Sequence, residues 1–413
     1  MEQIEDREGK LTEIIRQVKT EVLSQIDLSR ESSDEEIQKL IFETVFRRSK
    51  EEFLLLEDRK KLAKSVFNAL RKLDFVQELL EDDEISEIMI NGPESIFVEK
   101  GGEIKHLSKT FDSEEKLEDM IQQIVASCNR TVNEAAPIAD ARLSDGCRVN
   151  IVLSPPAVGG PVVTIRRFPQ NTITMEKLIE NHTITEEAAD FLKWAVEEGF
   201  NIFVSGGTSS GKTTLLNVLS GYIPQSLRVI CIEDSAELQI THIPNIVRLE
   251  TRNATAEGCT EITIRDLIRN ALRMRPDRIV VGEVRGGEAM DMLQAFNTGH
   301  DGSLSTGHAN SAKDMLLRLE AMVLMGTKLP IAAIRRQIST GIDLIVHLER
   351  SRSGRRRVVE IMEIQGMDNE EIKTRPVFVL KEDDHHKPVL VKVVDRIVKR
   401  RGYIAGWEEK HAL

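Results

Sequence analysis

Gly206-Gly207-Thr208-Ser209-Ser210-Gly211-Lys212-Thr213-Thr214 is a complete G-x-x-x-x-G-K-T. An apolar segment, residues 200–204, runs straight into it, and a helical segment, 215–219, follows. This context separates a phosphate-binding loop from a chance glycine-rich turn. Glycines let backbone N–H groups wrap a polyphosphate, and the following helix points its positive end at the anion. In such a loop Lys212 reaches the β- and γ-phosphates, and the Thr213 hydroxyl is a ligand for Mg²⁺. The expected ligands are ATP and Mg²⁺.

Around the loop the chain alternates strand and helix. Residues 186–198 read as a helix stopped by Gly199, while 228–232 and 278–281 read as buried apolar strands. Thr263 with Asp266 forms a capping pair that opens a helix ended by Pro276; Ser311 with Asp314 opens another over 315–325. Residues 344–348 and 358–364 flank Ser353-Gly354, the pattern of a hairpin. Alternation at this spacing predicts an α/β sheet of the RecA-like P-loop kind.

Upstream the texture differs. Residues 1–70 hold one glycine and no proline, and Ile37, Leu40, Ile41, Val45, Leu62, Val66 and Leu70 recur at helical spacing. They predict a small helical domain of about three helices, with the first dozen residues closest to a solvated charged tail. Residues 71–168 predict an α+β domain. Its strands are 85–90, 96–98, 148–153 and 162–166, with turns at Asn91-Gly92-Pro93 and Gly101-Gly102 and a helix carrying Leu117, Ile121, Ile124 and Val125. Residues 169–185 read as a linker, and 186–413 as the ATPase domain with a C-terminal subdomain. The apolar and basic run 389–401 reads as a packed closing helix.

Composition narrows the function. The chain has 413 residues, 40% hydrophobic and 30% charged, enough for two or three domains with several cores. No apolar run approaches the length of a membrane span, and the first ten residues are polar and acidic, so the expectation is a cytoplasmic protein without a secretory signal. Cys128, Cys147, Cys231 and Cys259 form no C-x-x-C pair, which argues against zinc and for small buried residues. A formal charge of −12 and 4% aromatics argue against a nucleic-acid partner, which needs cations and stacking faces.

Three further segments carry chemistry. Ile279-Val280-Val281-Gly282-Glu283 is an apolar strand ending in a carboxylate, able to polarise water or hold Mg²⁺; a glycine at 282 leaves that role to Glu283. Val229-Ile230-Cys231-Ile232-Glu233-Asp234-Ser235-Ala236-Glu237 is a second such strand, so Glu233 and Glu283 converge on one phosphate edge, with Asp234 and Glu237 equally readable as turn caps. Thr298-Gly299-His300-Asp301-Gly302-Ser303-Leu304-Ser305-Thr306-Gly307-His308-Ala309-Asn310 puts two histidines in a polar stretch that does not read as core. A γ-phosphate sensor is the sharper reading, since the neighbours make no zinc ligand set. His385 and His386 read as surface residues.

With the run Arg275-Pro276-Asp277-Arg278-Ile279-Val280-Val281-Gly282-Glu283-Val284-Arg285, these motifs in this order resemble the type II/type IV secretion ATPase superfamily. Residues 86–93, Asp140-Ala141-Arg142-Leu143-Ser144-Asp145-Gly146-Cys147-Arg148-Val149-Asn150 and Thr164-Ile165-Arg166-Arg167-Phe168 resemble its tight-adherence (Flp) pilus assembly branch, the CpaF-like ATPases. The resemblance covers about residues 75–365. It implies a RecA-like domain preceded by an α+β (PAS-like) domain, in homohexameric rings that hydrolyse ATP between the two. It also implies work on inner-membrane platform proteins, at the inner face of the membrane, with pilin as cargo. Catalytic roles are implied for Glu283, Glu233, Lys212, His308, Arg148 and Arg166, and nucleotide contacts for Arg285 and His300. Mg²⁺ would sit on Thr213 and Glu283, while Arg142 and Arg167 read equally as surface ion pairs.

Two departures stand out. Ser209 occupies a place where this branch often has glycine, and the four-cysteine metal segment of the general secretion branch is absent, so no zinc is carried over. Besides the motor, a conjugation-type export ATPase or nucleic-acid translocase fits the same fold, as does a nucleotide-gated scaffold. Glu233, Glu283 and two histidines speak against a dead site. No Asn-Lys-x-Asp guanine-reading motif occurs.

Overall fold

The computed structural model describes residues 2–26, 33–51, 56–128, 130–167, 173–252, 254, 260–351, 354–382, 388–394 and 397. The chain divides into two compact units, Met1–Gln170 and Asn171–Leu413.

The first unit opens with helices α1 (Glu2–Gln25), α2 (Asp34–Glu51) and α3 (Leu56–Arg71). Val18, Val22, Ile37, Ile41, Val45, Leu62 and Val66 pack between them, so the apolar period of the sequence is the buried one. Helix α1 starts at Glu2, which places the expected tail inside a helix. After α4 (Val76–Leu80) come β1 (Ile85–Asn91), β2 (Ile96–Lys100), β3 (Glu103–His106), α5 (Glu114–Ser127), β4 (Ile138–Arg142), β5 (Arg148–Val152) and β6 (Val162–Arg166). The strands form an antiparallel sheet ordered β3-β2-β1-β6-β5-β4. Gly101 and Gly102, both at positive φ, make the β2–β3 turn. Strand β4 was not expected from sequence; its Ala139 and Ala141 bury one face with too little apolar signal to read.

The second unit begins within the expected linker. Thr174 caps a short helix, α6 (Met175–Glu180), whose Met175 and Leu178 join the core. There follow α7 (Glu186–Glu197), β7 (Ile202–Gly206), α8 (Lys212–Ser220), β8 (Val229–Glu233), β9 (Ile246–Glu250), α9 (Ile264–Ala271), β10 (Arg278–Val281), α10 (Ala289–Asn297) and β11 (Leu304–His308). Next are α11 (Ala312–Gly326), α12 (Ile331–Gly341), β12 (Leu344–Arg350), β13 (Arg356–Asp368), β14 (Glu371–Glu382) and β15 (Pro388–Lys392). The sheet order is β15-β14-β13-β12-β7-β11-β10-β8-β9. Strands from β12 through β9 run parallel, and β12 to β15 continue as antiparallel hairpins.

Both faces of this sheet are covered, which is why β7, β8 and β10 read as unbroken apolar runs. Phe191, Leu192, Leu215 and Leu219 of α7 and α8 lie on one face, with Met175. Ile268, Leu293, Phe296, Met315, Leu319 and Ile338 of α9 to α12 lie on the other. Thr263 and Asp266 close a full capping box at α9, and Ser311 caps α11. Helix α9 ends at Ala271, ahead of Pro276. The polar segment around His308 is a strand, β11, buried over residues 304–307; Thr306 Oγ1 donates to the Gly282 carbonyl, while Ser305 Oγ is buried without a hydrogen-bond partner. The run 389–401 starts as β15, not as a helix; residues 395, 396 and 398–401, like Cys259, Ser353, His385, His386 and Phe168, lie outside the described residues. Among the described residues no helix is long and apolar enough to cross a membrane.

One side chain ties the sheet's N-terminal edge together. Asn201, 2% exposed, donates from Nδ2 to the carbonyls of Phe296 and Gly341 and accepts on Oδ1 from the amides of Gly302 and Ser303. Asn201→Ala leaves these four backbone groups unpaired and is expected to cost about 3 kcal/mol or more. Urea unfolding would measure it; a loss under about 1 kcal/mol would mean water replaces the amide.

Candidate nucleotide-binding site

The site is built where β7 ends. At Gly206 the neighbouring strands place His308 on one side and Leu348 on the other. A Cβ at Gly206 would lie 2.5 Å from the Leu348 carbonyl oxygen and 2.5 Å from Ser210 Oγ, so only glycine lets the chain turn out of the sheet here. The loop then carries Ser209 and Gly211 in left-handed backbone (φ +56° and +97°), and Gly211 caps the start of α8. Thr213 and Thr214 follow in the first turn of α8, half-buried.

Lys212 is 7% exposed, and its ammonium donates to the Gly207 carbonyl (2.9 Å) and to His308 Nδ1 (3.2 Å). Burial lowers its pKa, the Glu283 charge opposes that, and Arg285 adds to it. An ammonium offers only protons, so Nδ1 of His308 is the acceptor and its ring proton sits on Nε2. Nε2 lies 2.8 Å from Glu283 Oε1. The other oxygen, Oε2, accepts from Arg285 Nε (3.0 Å) and Nη2 (2.7 Å). Arg285 Nη1 is in turn 3.7 Å from Asp234. Lys212, His308, Glu283, Arg285 and Asp234 thus lie in succession across four strand ends; Lys212–His308 and Arg285–Glu283 are hydrogen-bonded, whereas His308–Glu283 is a close contact in which Oε1 has no hydrogen bond. Burial first, and the Lys212 charge second, depress the His308 pKa, which keeps the ring neutral.

Glu233, 4% exposed, ends β8 opposite Gly282 of the neighbouring strand. Its Oε1 accepts from the amides of Glu237 (2.9 Å) and Leu238 (3.0 Å). Burial raises its pKa and those two amides pull it back. The loop after β8 is therefore clamped by Glu233, not by Asp234 or Glu237. Gly282 makes room for it: a Cβ there would meet Glu233 Cγ at 3.0 Å. Beside Arg285 and Asp234 a cavity of about 370 Å³ opens, lined also by Thr251, Arg265, Glu288 and Met325, with no P-loop residue in its wall.

The remaining sequence candidates fall elsewhere. His300 precedes β11, at the edge where that strand begins, and its Nδ1 lies 3.0 Å from the Ala295 carbonyl. His308 closes the same strand, so about one strand length, roughly 13–16 Å, separates His300 from the phosphate loop. The structure therefore does not bring His300 to the loop. Arg148 and Arg166 belong to the first unit, directly opposed across β5 and β6, both exposed. Arg142 and Arg167 are spent on local backbone, Arg142 on the Gly146 carbonyl and Arg167 on those of Asp82 and Ile85. Sequence reading missed two residues that touch the loop or its strand. Arg356 donates to the Ser209 carbonyl, and buried His347 lies 3.1 Å from Ser205 Oγ. Both come from more than 140 positions downstream, and no local pattern marks them.

A family model described as type II/IV secretion system protein matches residues 69–372. A putative conjugal transfer protein of Mycobacterium tuberculosis is 36% identical over 292 residues, covering 69% of this chain and 82% of that protein. The type IV secretion system protein PtlH of Bordetella pertussis is 33% identical over 314 residues, covering 70% and 93%. Among solved structures, the pilus retraction motor PilT with bound ADP aligns with a TM-score of 0.53 at 23% identity, over 70% of this chain and 81% of that one, a likeness of RecA-like fold.

Two outcomes follow from the geometry. Glu233→Ala orphans two amides and is expected to cost about 2 kcal/mol in urea unfolding, whereas Glu233→Gln keeps an acceptor and costs well under half of that. For His308 the folded pKa lies below the ordinary 6.5, so as pH falls the unfolded chain takes up the proton first. Stability is therefore expected to drop below about pH 6.5 until the lowered folded value is passed. His347, also depressed by burial, acts with the same sign, so the measure is the difference between wild type and His308→Gln across pH 5 to 8. Parallel curves would show that His308 does not contribute.

Proposed function

Because this chain belongs to the type II/IV secretion system protein family, we propose that it is an ATP hydrolase whose turnover drives a type II/IV secretion or pilus machine. The observation that carries this reading is that His308 lies between Lys212 and Glu283, 3.2 Å from the ammonium and 2.8 Å from the carboxylate. The ring stands between the residue that holds a γ-phosphate and the carboxylate that orients water against it. The Lys212 ammonium donates to a carbonyl and an imidazole, both uncharged, with the Glu283 charge as its nearby counterion. A polyphosphate is a stronger partner for a buried ammonium. As Lys212 turns to it, His308 Nδ1 loses its donor, and Glu283 gains freedom to hold a water in line with the terminal phosphate. Thr213 and Glu283 present oxygen donors of the kind Mg²⁺ takes, and the ion would neutralise phosphate charge there. Arg148 and Arg166 carry the cations that the family resemblance assigns to the transition-state charge.

In the finer reading the protein works as a homohexamer at the cytoplasmic face of the inner membrane. It acts on platform proteins, with assembly of a tight-adherence pilus as the output. A second reading is supported by the names of the relatives, one of them a conjugal transfer protein: an export ATPase of the conjugation type. A charge of −12 and 4% aromatics favour protein over nucleic-acid cargo.

The test is steady-state ATPase activity across protein concentration, alongside mass in solution with ATP and Mg²⁺. Lys212→Ala is expected to lose nucleotide binding. Glu283→Gln is expected to bind ATP while hydrolysing it about 10²- to 10³-fold more slowly. Arg148→Ala or Arg166→Ala should lower kcat more than nucleotide affinity. Wild-type rates in the first two variants would refute the mechanism. Salt-sensitive stimulation by DNA would favour the second reading.

A further inference from the structure

The phosphate loop is touched at several points by a hairpin far downstream. At its start, the Leu348 carbonyl closes on Gly206. Further along the loop, the Arg356 Nε donates to the Ser209 carbonyl at 3.0 Å, and the Arg356 Cδ would lie 3.4 Å from a Cβ on Gly211. Arg356 is the first residue of β13 and Leu348 lies in β12, so both contacts come from one hairpin.

Ser209 is the residue that needs such a partner. It stands at φ +56°, a left-handed conformation that glycine adopts freely and serine does not. In that conformation its carbonyl accepts from the Arg356 guanidinium. The guanidinium is exposed, so the bond is not a product of core packing. A hydrogen bond from a charged donor is stronger than a neutral one, enough to bias one backbone residue.

We propose that Arg356 is a positioning residue for the nucleotide site, holding Ser209 in its left-handed conformation and the loop 206–211 in the shape that accepts a polyphosphate. This role rests on the reading of the loop as a nucleotide site.

The experiment uses the full chain and a fluorescent ADP analogue as probe, with Arg356→Ala, Arg356→Lys, Ser209→Gly and the double variant Arg356→Ala/Ser209→Gly. Melting temperature without nucleotide is recorded for each. Arg356→Ala is expected to bind the probe about tenfold more weakly, about 1.4 kcal/mol, with an unchanged melting temperature. Arg356→Lys should fall between it and wild type. The double variant should return to within about twofold of wild type, because glycine takes the left-handed conformation without a clamp. Wild-type affinity in Arg356→Ala would overturn the role, and so would a double variant as weak as the single one, which would put the guanidinium directly on the nucleotide. Lys212→Ala separates the two levels. If wild type and Lys212→Ala both fail to bind the probe, the site itself is refuted and this role with it; if only wild type binds, the Arg356 outcome stands alone.

Discussion

Everything at the C-terminal edge of the large sheet is arranged around one buried cation. Lys212 is withdrawn from water at the start of α8, where the helix dipole also disfavours positive charge. Burial lowers its pKa, and the nearby Glu283 charge counters that. The Glu283 carboxylate does not stand free either. It shares its two oxygens between His308 and Arg285, and Arg285 reaches on to Asp234. Side chains from β8, β10, β11 and α8 thereby meet in succession around one lysine. Under the proposed function, a phosphate that becomes a new partner for Lys212 changes what His308 and Glu283 can do, because their contacts are shared.

The two edges of the same sheet do different work. At the C-terminal edge strands end in Gly206, Glu233 and His308, with Glu283 just past the end of β10, and loops leave the sheet to form the site, as in open parallel sheets generally. At the opposite edge the polar residues serve the fold. Asn201 holds four backbone groups, and buried Arg278 donates to the Val196 and Glu197 carbonyls at the end of α7. His300 belongs to this edge. Its spacing from His308 in sequence looks like one motif, yet a strand carries the two histidines to opposite ends.

Gly282 and Glu233 show how a departure from a common pattern is absorbed. The glycine stands where many P-loop proteins have an acid, and the missing side chain leaves the space that Glu233 fills from the adjacent strand. Glu233 in turn fixes the loop that follows β8. Ser209 is a parallel case. A residue ill suited to its backbone conformation is accommodated by a contact with the Arg356 side chain, from outside the motif.

The sequence by itself determined the α/β class, the glycine-rich loop between strand and helix, and the strands that present Glu233 and Glu283. Each rests on short-range pattern: apolar runs long enough for a covered strand, capping pairs, and glycines at obligatory turns. It could not mark β4 or the helix within 173–185, whose signals are a few apolar residues among polar ones. It did not read β11 as core, because after Leu304 this buried strand carries serine, threonine, glycine and histidine in place of an apolar run. Only the tertiary structure decided that Glu233 clamps a loop, that His300 faces away, and that Arg356 and His347 belong to the site. Those outcomes depend on strand order and register, which bring residues more than 140 positions apart within hydrogen-bond reach, and no local spacing encodes them.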